Sequence, residues 1–283
     1  MLAKLRAVSV NAVSVIDEAL DLLSDELQDA RSERLRQAGM AVTTLRGYVE
    51  TLYISGHALA DVALRRSSRE RFDALLHRWQ KRLLLQADVE VTFEGLEHLD
   101  GFLDEAFVWV SNHRATYDPI VLFATRSESQ RRQSLRMVVK RELMQIPGWG
   151  AAMRASGFIT VDRQNPDKAK ASLKQARQTS PEVDVWIAPE GTRTLDGKLG
   201  PFKMGGFHLA TESGRRIMPI ALIGTEDIAP VGSYLVRSGA RVTVRIGEPI
   251  DPAQFGGDLK ALCAHTREVI QSLYEGSIPS YRS

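Results

Sequence analysis

The chain of 283 residues has one cysteine, Cys263, so no internal disulfide can form and the disulfide-rich secreted class is excluded. No long hydrophobic run occurs either. The least polar stretch, Met40 to Leu64, carries Arg46, Glu50, His57 and Asp61, and such charges are costly at a bilayer centre, so no spanning segment is expected. An excess of charge is missing too: the formal net charge is +2, which gives no sign of nucleic-acid wrapping. The basic start Lys4 to Arg6 and the mild apolar run after it imitate a signal peptide, but Asn11 interrupts the run and no small-residue cleavage site follows. A cytoplasmic location is the default. Proline is absent from residues 1 to 118, and no repeat or low-complexity tract is found.

What is present divides near residue 88. Up to there, apolar positions such as Ile16, Leu20, Leu23 and Leu27 recur at steps of three and four, which predicts about three amphipathic helices. Charge is segregated: residues 17–33 hold seven acids and one Arg, and residues 65–82 hold seven bases and two acids. Two solvated helix faces pairing with each other account for this; so does a basic face of Arg65, Arg66, Arg69, Arg71, Arg78, Lys81 and Arg82 meeting an anionic membrane. From about residue 89, short β-rich runs alternate with helical stretches. The expected fold class is α/β, a largely parallel sheet flanked by helices and preceded by an N-terminal helical region, divided as 1–88 and 89–283. Strands are expected at 89–93, 106–111, 135–139, 157–161, 183–188, 217–223 and 241–246. Helices are expected at 119–127, 141–155, 166–178, 203–213 and 258–274, and Gly and Pro make 195–206 a loop.

The chemistry collects at strand ends. The apolar run Phe107 to Val110 ends in Ser111-Asn112-His113, and Asp118-Pro119 is what a helix start asks for, with Asp118 as N-cap. His113 then lies on a strand-to-helix loop, where open α/β sheets form their ligand crevice. A carboxylate five residues on can hold the proton of one ring nitrogen and leave the other as a base. Chance supplies such a pair roughly 0.4 times in a chain of this composition, so it carries weight only in company. The company is Asp162-Arg163 after one strand and Glu190-Gly191-Thr192-Arg193 after another, where Gly191 permits a sharp turn and Arg193 offers a planar fork to an oxyanion. Met218-Pro219-Ile220 opens a further buried strand.

In this order, the four segments resemble the four motifs of the glycerophospholipid acyltransferase superfamily, whose best-known members are the 1-acylglycerol-3-phosphate acyltransferases. The resemblance covers about residues 89–250 and extends to Val139-Lys140-Arg141-Glu142-Leu143, to Ile146-Pro147-Gly148-Trp149-Gly150, and to the run Gly200 to Phe207. Departures are small: Thr160 in a normally apolar stretch, Ala188 for a bulky residue, and Thr194 where Ser is frequent. The resemblance implies that His113, steered by Asp118, takes the proton of an acceptor hydroxyl that attacks the thioester of acyl-CoA or acyl-carrier protein, with no covalent intermediate. It assigns Glu190, Gly191, Thr192 and Arg193 to acceptor binding; Lys140 and Arg163 are further phosphate contacts. The acceptor implied is a lysophospholipid, foremost 1-acylglycerol-3-phosphate, with glycerol 3-phosphate or another polar lipid or glycolipid as alternatives.

No cofactor beyond the acyl-thioester co-substrate is expected and no metal: no His-x-x-x-His, His-x-His or Cys cluster would complete a ligand set. Cys263, in a C-terminal helix pattern, reads as a small apolar residue and not a nucleophile. The partners expected are the thioester donor, the lipid acceptor and a membrane surface on its cytoplasmic face, with no nucleic acid. Residues 65–82, or Arg126, Arg131, Arg132, Arg136, Lys140 and Arg141, would dock the protein peripherally, with Trp149 and Ile146 as apolar insertions. A noncatalytic lipid-binding protein is the rival class, and the complete motif residues speak against it.

Overall fold

A computed structural model describes residues 2–146, 148–161, 172, 182–193 and 198–276, with side chains from 28 onward except that of Ala30. The expected helix at 166–178 lies outside the described residues apart from position 172. The described strands are β1 (Glu90–Glu94), β2 (Val108–Ser111), β3 (Ser134–Lys140), β4 (Ile159–Val161), β5 (Val183–Ile187), β6 (Ile217–Ile223) and β7 (Arg241–Ile246). They form one sheet in the order β1-β7-β6-β2-β5-β3-β4, parallel throughout except for β6 against β7. The carboxyl ends of β6, β2, β5, β3 and β4 therefore open on the same edge.

Both faces of the sheet are covered, so strand residues are buried whichever way they point. Phe107, Trp109, Trp186, Met218, Ile220 and Leu222 join one apolar cluster, and Val108, Val110, Val185, Ile187, Ile217 and Ala221 join the other. The first cluster takes in residues of α2 (Arg69–Gln86) and α3 (Asp118–Glu128); the second takes in α5 (Gly205–Ser213) and α7 (Leu259–Glu275). Asp258 caps α7 by accepting from the N–H groups of Lys260 and Ala261. The single turn α6 is Thr225–Ile228. Pro219 does not open β6 but is its third residue, between two neighbouring strands; its carbonyl accepts from the Gly247 N–H, and Gly247 makes room for the ring, since a Cβ there would lie 3.0 Å from Pro219 Cγ.

Two elements depart from expectation. The region expected to be one long helix at 141–155 is a 3₁₀ turn, Arg141–Gln145, followed by α4 (Trp149–Ala155). Gly150 fits only without a side chain: a Cβ would lie 2.2 Å from the Met144 carbonyl oxygen. The N-terminal region has two helices rather than three, α1 (Leu2–Ala63), about 93 Å long, and α2, joined by a short link in which Arg65 takes a positive φ of 55°. The bases of α2 pair with acids in the C-terminal half of α1, not with the acids of 17–33: Arg71 forks onto Asp61 at 2.6 and 2.9 Å, and Arg82 reaches Glu50 at 3.2 Å. The short link forces this antiparallel register. The guanidinium of Arg71 holds the Asp61 carboxyl below the ordinary range.

The second basic cluster is dismantled by burial. Arg131 has no exposed side-chain area; it donates to both carboxylate oxygens of Asp184 at 3.1 and 3.2 Å, to the Phe102 carbonyl at 2.9 Å and to the Glu105 carbonyl. Arg136, buried too, pairs with Asp73 at 2.7 Å. Neither can reach a membrane. Trp149 packs, half-buried, against the core, while Ile146 remains exposed.

Candidate active site

His113 leaves the end of β2 on a loop five residues long. Its Nδ1 lies 2.7 Å from Asp118 Oδ2, and the same oxygen accepts the N–H groups of Arg114 at 2.7 Å and Ala115 at 2.9 Å. An ionised carboxylate only accepts, so Nδ1 carries a proton and, in the neutral ring, Nε2 has a free lone pair. Asp118 is fully buried whereas the imidazole keeps 19% of its side-chain area in contact with solvent. Asp118 is thus not the N-cap. It is the first residue of α3, Tyr117 stands at the cap, and the carboxylate turns back to fix the loop that carries the imidazole. Burial beside this turn pushes the Tyr117 phenol up to about 12.

Around the ring, three groups set its position. The Trp186 ring meets the imidazole edge-on, with centroids 5.7 Å apart, and its indole N–H donates to Ser111 Oγ at 2.9 Å. Asn112 continues the β2–β6 ladder with its side chain: Nδ2 donates to the Leu222 carbonyl and Oδ1 accepts from the Leu222 N–H, both at 2.8 Å. Only a primary amide supplies both partners from one side chain. Glu190 accepts from the His113 N–H at 3.1 Å and from the Gly200 N–H at 2.8 Å, tying the ends of β2 and β5 to the loop before α5. Burial pushes its carboxyl up, opposed by these two donors.

Arg193 lies on the crevice side of the same turn, donating to Thr116 Oγ1 at 2.8 Å, three residues beyond His113. Thr192 is exposed; its hydroxyl bonds only the Arg193 carbonyl among the described residues. Lys140 ends β3, exposed. Continuing the registers Val110↔Ile187 and Met137↔Trp186 puts Asn112, Pro189 and Lys140 in one row, with Lys140 two strand spacings, roughly 10 Å, from β2. Arg163 and Thr194 lie outside the described residues. The structure therefore gathers His113, Asp118, Glu190, Gly191, Thr192 and Arg193, with Lys140 at the rim. Reading along the sequence missed Asn112, Trp186 and Ser111 as supports of the imidazole, because each acts through a partner more than 70 residues away or on another strand.

A histidine–aspartate pair carried by one strand-to-helix loop, facing the crevice at the carboxyl ends of parallel strands, defines the class of α/β protein to which this site belongs. The Acyltransferase family model matches residues 90–223. A chloroplastic 1-acyl-sn-glycerol-3-phosphate acyltransferase of Brassica napus is 31% identical over 220 residues, 77% of this chain and 60% of that protein. The 1-acyl-sn-glycerol-3-phosphate acyltransferase of Escherichia coli (strain K12) is 29% identical over 167 residues, 58% of this chain and 65% of that one. The crystal structure of the 1-acyl-sn-glycerophosphate acyltransferase PlsC from Thermotoga maritima superposes with a TM-score of 0.70 at 25% identity, covering 88% of this chain and all of that one. The chain belongs to the glycerophospholipid acyltransferase superfamily. It spans about 60% of the length of the first curated relatives it matches.

Proposed function

We propose that the chain transfers a fatty acyl group from a thioester donor, acyl-CoA or acyl-carrier protein, to the free hydroxyl of 1-acylglycerol-3-phosphate. The observation that carries this is the 2.7 Å contact of Nδ1 with a buried carboxylate, which leaves Nε2 as the accepting nitrogen of a solvent-accessible ring. Nε2 takes the acceptor's hydroxyl proton as the oxygen bonds to the thioester carbonyl carbon. When the tetrahedral intermediate collapses, the C–S bond breaks and the imidazolium returns the proton to the thiolate. Asp118 stabilises that imidazolium and fixes the ring. Glu190 holds the loops together, and Arg193 and Lys140 supply cations for a phosphorylated acceptor. The named activities of the relatives support the same acceptor.

Incubation with labelled acyl-CoA and a panel of acceptors, read by lipid mass spectrometry, should yield labelled phosphatidate from the lysophosphatidate well; label in glycerol 3-phosphate, in a glycolipid or in none of them replaces the acceptor or removes the activity. In that assay Arg193→Ala should raise the KM for lysophosphatidate by roughly 10–100-fold, as losing a hydrogen bond to a charged group does.

The lipid acceptor is reached, on this reading, by peripheral docking. No helix among the described residues is long and apolar enough to cross a membrane. Over its described part α1 is amphipathic in the reverse sense: Thr43, Glu50, Ser55 and Asp61 are buried against the body, while Val42, Leu45, Tyr48, Val49, Leu52 and Tyr53 face outward and are exposed. Arg65 and Arg66, exposed at the end of the helix, border this face. A contiguous apolar patch with a basic margin fits an anionic bilayer surface. Replacing Leu45 and Leu52 together by Glu should lower cosedimentation with anionic vesicles by at least about tenfold. Raising salt should weaken the wild-type binding only in part, and complete loss in salt would shift the weight to the arginines.

A further inference from the structure

One cation beside the site has no task in the scheme above. Gly191 takes a φ of +72°, and a Cβ there would lie 2.7 Å from Lys203 Nζ and 2.9 Å from its Cε. The ammonium end of Lys203 is therefore laid over the turn that carries Arg193, in the space that a side chain at 191 would fill. The Lys203 backbone is anchored as well: its N–H donates to the Pro189 carbonyl at 2.8 Å, immediately before Glu190. Among the described residues Lys203 makes no ion pair, and neither does Arg193. The one carboxylate on the turn, Glu190, already accepts from the N–H groups of His113 and Gly200.

Two cations thus flank a four-residue turn with no carboxylate of the turn left to neutralise them. Like charges held close raise the energy of the empty site, and an anion between them lowers it. A phosphate monoester fits this arrangement well, since at neutral pH it carries about −1.5 to −2 charge and three acceptor oxygens. Arg193 contributes a planar fork that Thr116 orients, and Lys203 contributes a compact charge that Gly191 lets come close.

We propose that Lys203 and Arg193 together seat the phosphate monoester of the acceptor, and that Lys203 is the residue that makes the chain prefer a phosphorylated acceptor to a neutral one. The inference rests on the acyl-transfer reading and adds to it a residue that neither its spacing from His113 nor the motif order assigns. It also gives Gly191 two reasons to be glycine: the positive φ and the lysine packed against it.

The test compares lysophosphatidate with 1-monoacylglycerol, which lacks the phosphate, in wild type, Lys203→Ala and Lys203→Arg. Lys203→Ala should cut the preference for the phosphorylated acceptor by roughly 10–100-fold, chiefly through its KM, and Lys203→Arg should recover part of it. An unaltered preference overturns the seat while leaving the transfer reading in place. Phosphorus NMR of lysophosphatidate binding to His113→Ala and to His113→Ala/Lys203→Ala separates the other case. If wild type acylates neither acceptor yet binding still weakens on losing Lys203, the seat stands and the transfer reading falls; if binding is equal in both proteins, the seat falls.

Discussion

Acyl transfer by His113→Ala should be slower than wild type by about 10²–10⁴-fold, the usual contribution of a positioned general base, with the thermal melt unchanged. The melt should hold because Nε2 has no hydrogen-bond partner among the described residues, so the folded state loses one contact, that to Asp118. Asp118→Asn should cost a similar factor by another route. The amide oxygen can still accept from the Arg114 and Ala115 N–H groups, but the charge that stabilises the imidazolium is gone. Because Asp118 is fully buried with three donors on one oxygen, this variant should also lose some stability, and Asp118→Ala more. Turnover within threefold of wild type in His113→Ala would remove the imidazole as the base and, with it, the mechanism.

The largest loss of stability should come from a residue remote from the chemistry. Arg131→Ala removes the partner of Asp184 in the middle of the sheet, where neither side chain has exposed area, and stranding one member of such a pair costs about 3–5 kcal/mol. It also strips the Phe102 and Glu105 carbonyls of their donor. Urea unfolding at neutral pH should show this as a lower midpoint with an unchanged slope.

The pH dependence follows from Asp184. Burial already pushes its carboxyl above the ordinary range, with the Arg131 charge and the Phe107 N–H opposing. Without Arg131 the rise is larger, so the folded state holds the proton more tightly than the unfolded chain does. Such a group favours folding below the unfolded value, near 3.9, and the benefit disappears as pH rises through the folded value. Arg131→Ala should therefore regain part of its deficit as pH falls from 7 toward 4. A deficit under about 1 kcal/mol at pH 7 would show that the pair is replaceable. Pairing Arg131→Met with Asp184→Leu should recover only part of the loss, because the Phe107 N–H, which now donates to Asp184 at 2.7 Å, would be left without an acceptor.

How much was legible beforehand differs by element. The strands at 217–223 and 241–246 match their expected limits because continuous or alternating apolar runs state their own ends. The 141–155 stretch misled because helix-compatible spacing says nothing about Gly148 and Gly150, which let the chain break and pack tightly on Met144. Arg131 and Arg136 read as surface charge because their partners, Asp184 and Asp73, are 53 and 63 positions away. The same blindness hid the reversed amphipathicity of α1, since a 3.6-residue period marks a stripe but not which side faces the body.

By itself the sequence determined the alternation of strands and helices, the edge of the sheet to which the polar strand ends belong, and the His–Asp spacing that a short loop can close, all of them local matters of period, turn chemistry and reach. Tertiary structure alone decided that Asp118 faces back to the imidazole instead of capping its helix, that Glu190 spends its oxygens on two loop amides, that one cluster of arginines is interior, and that Lys203 lies over Gly191. Each of these depends on which distant backbone groups need a partner once strands have paired, and desolvation, acting across the assembled sheet, chooses among them.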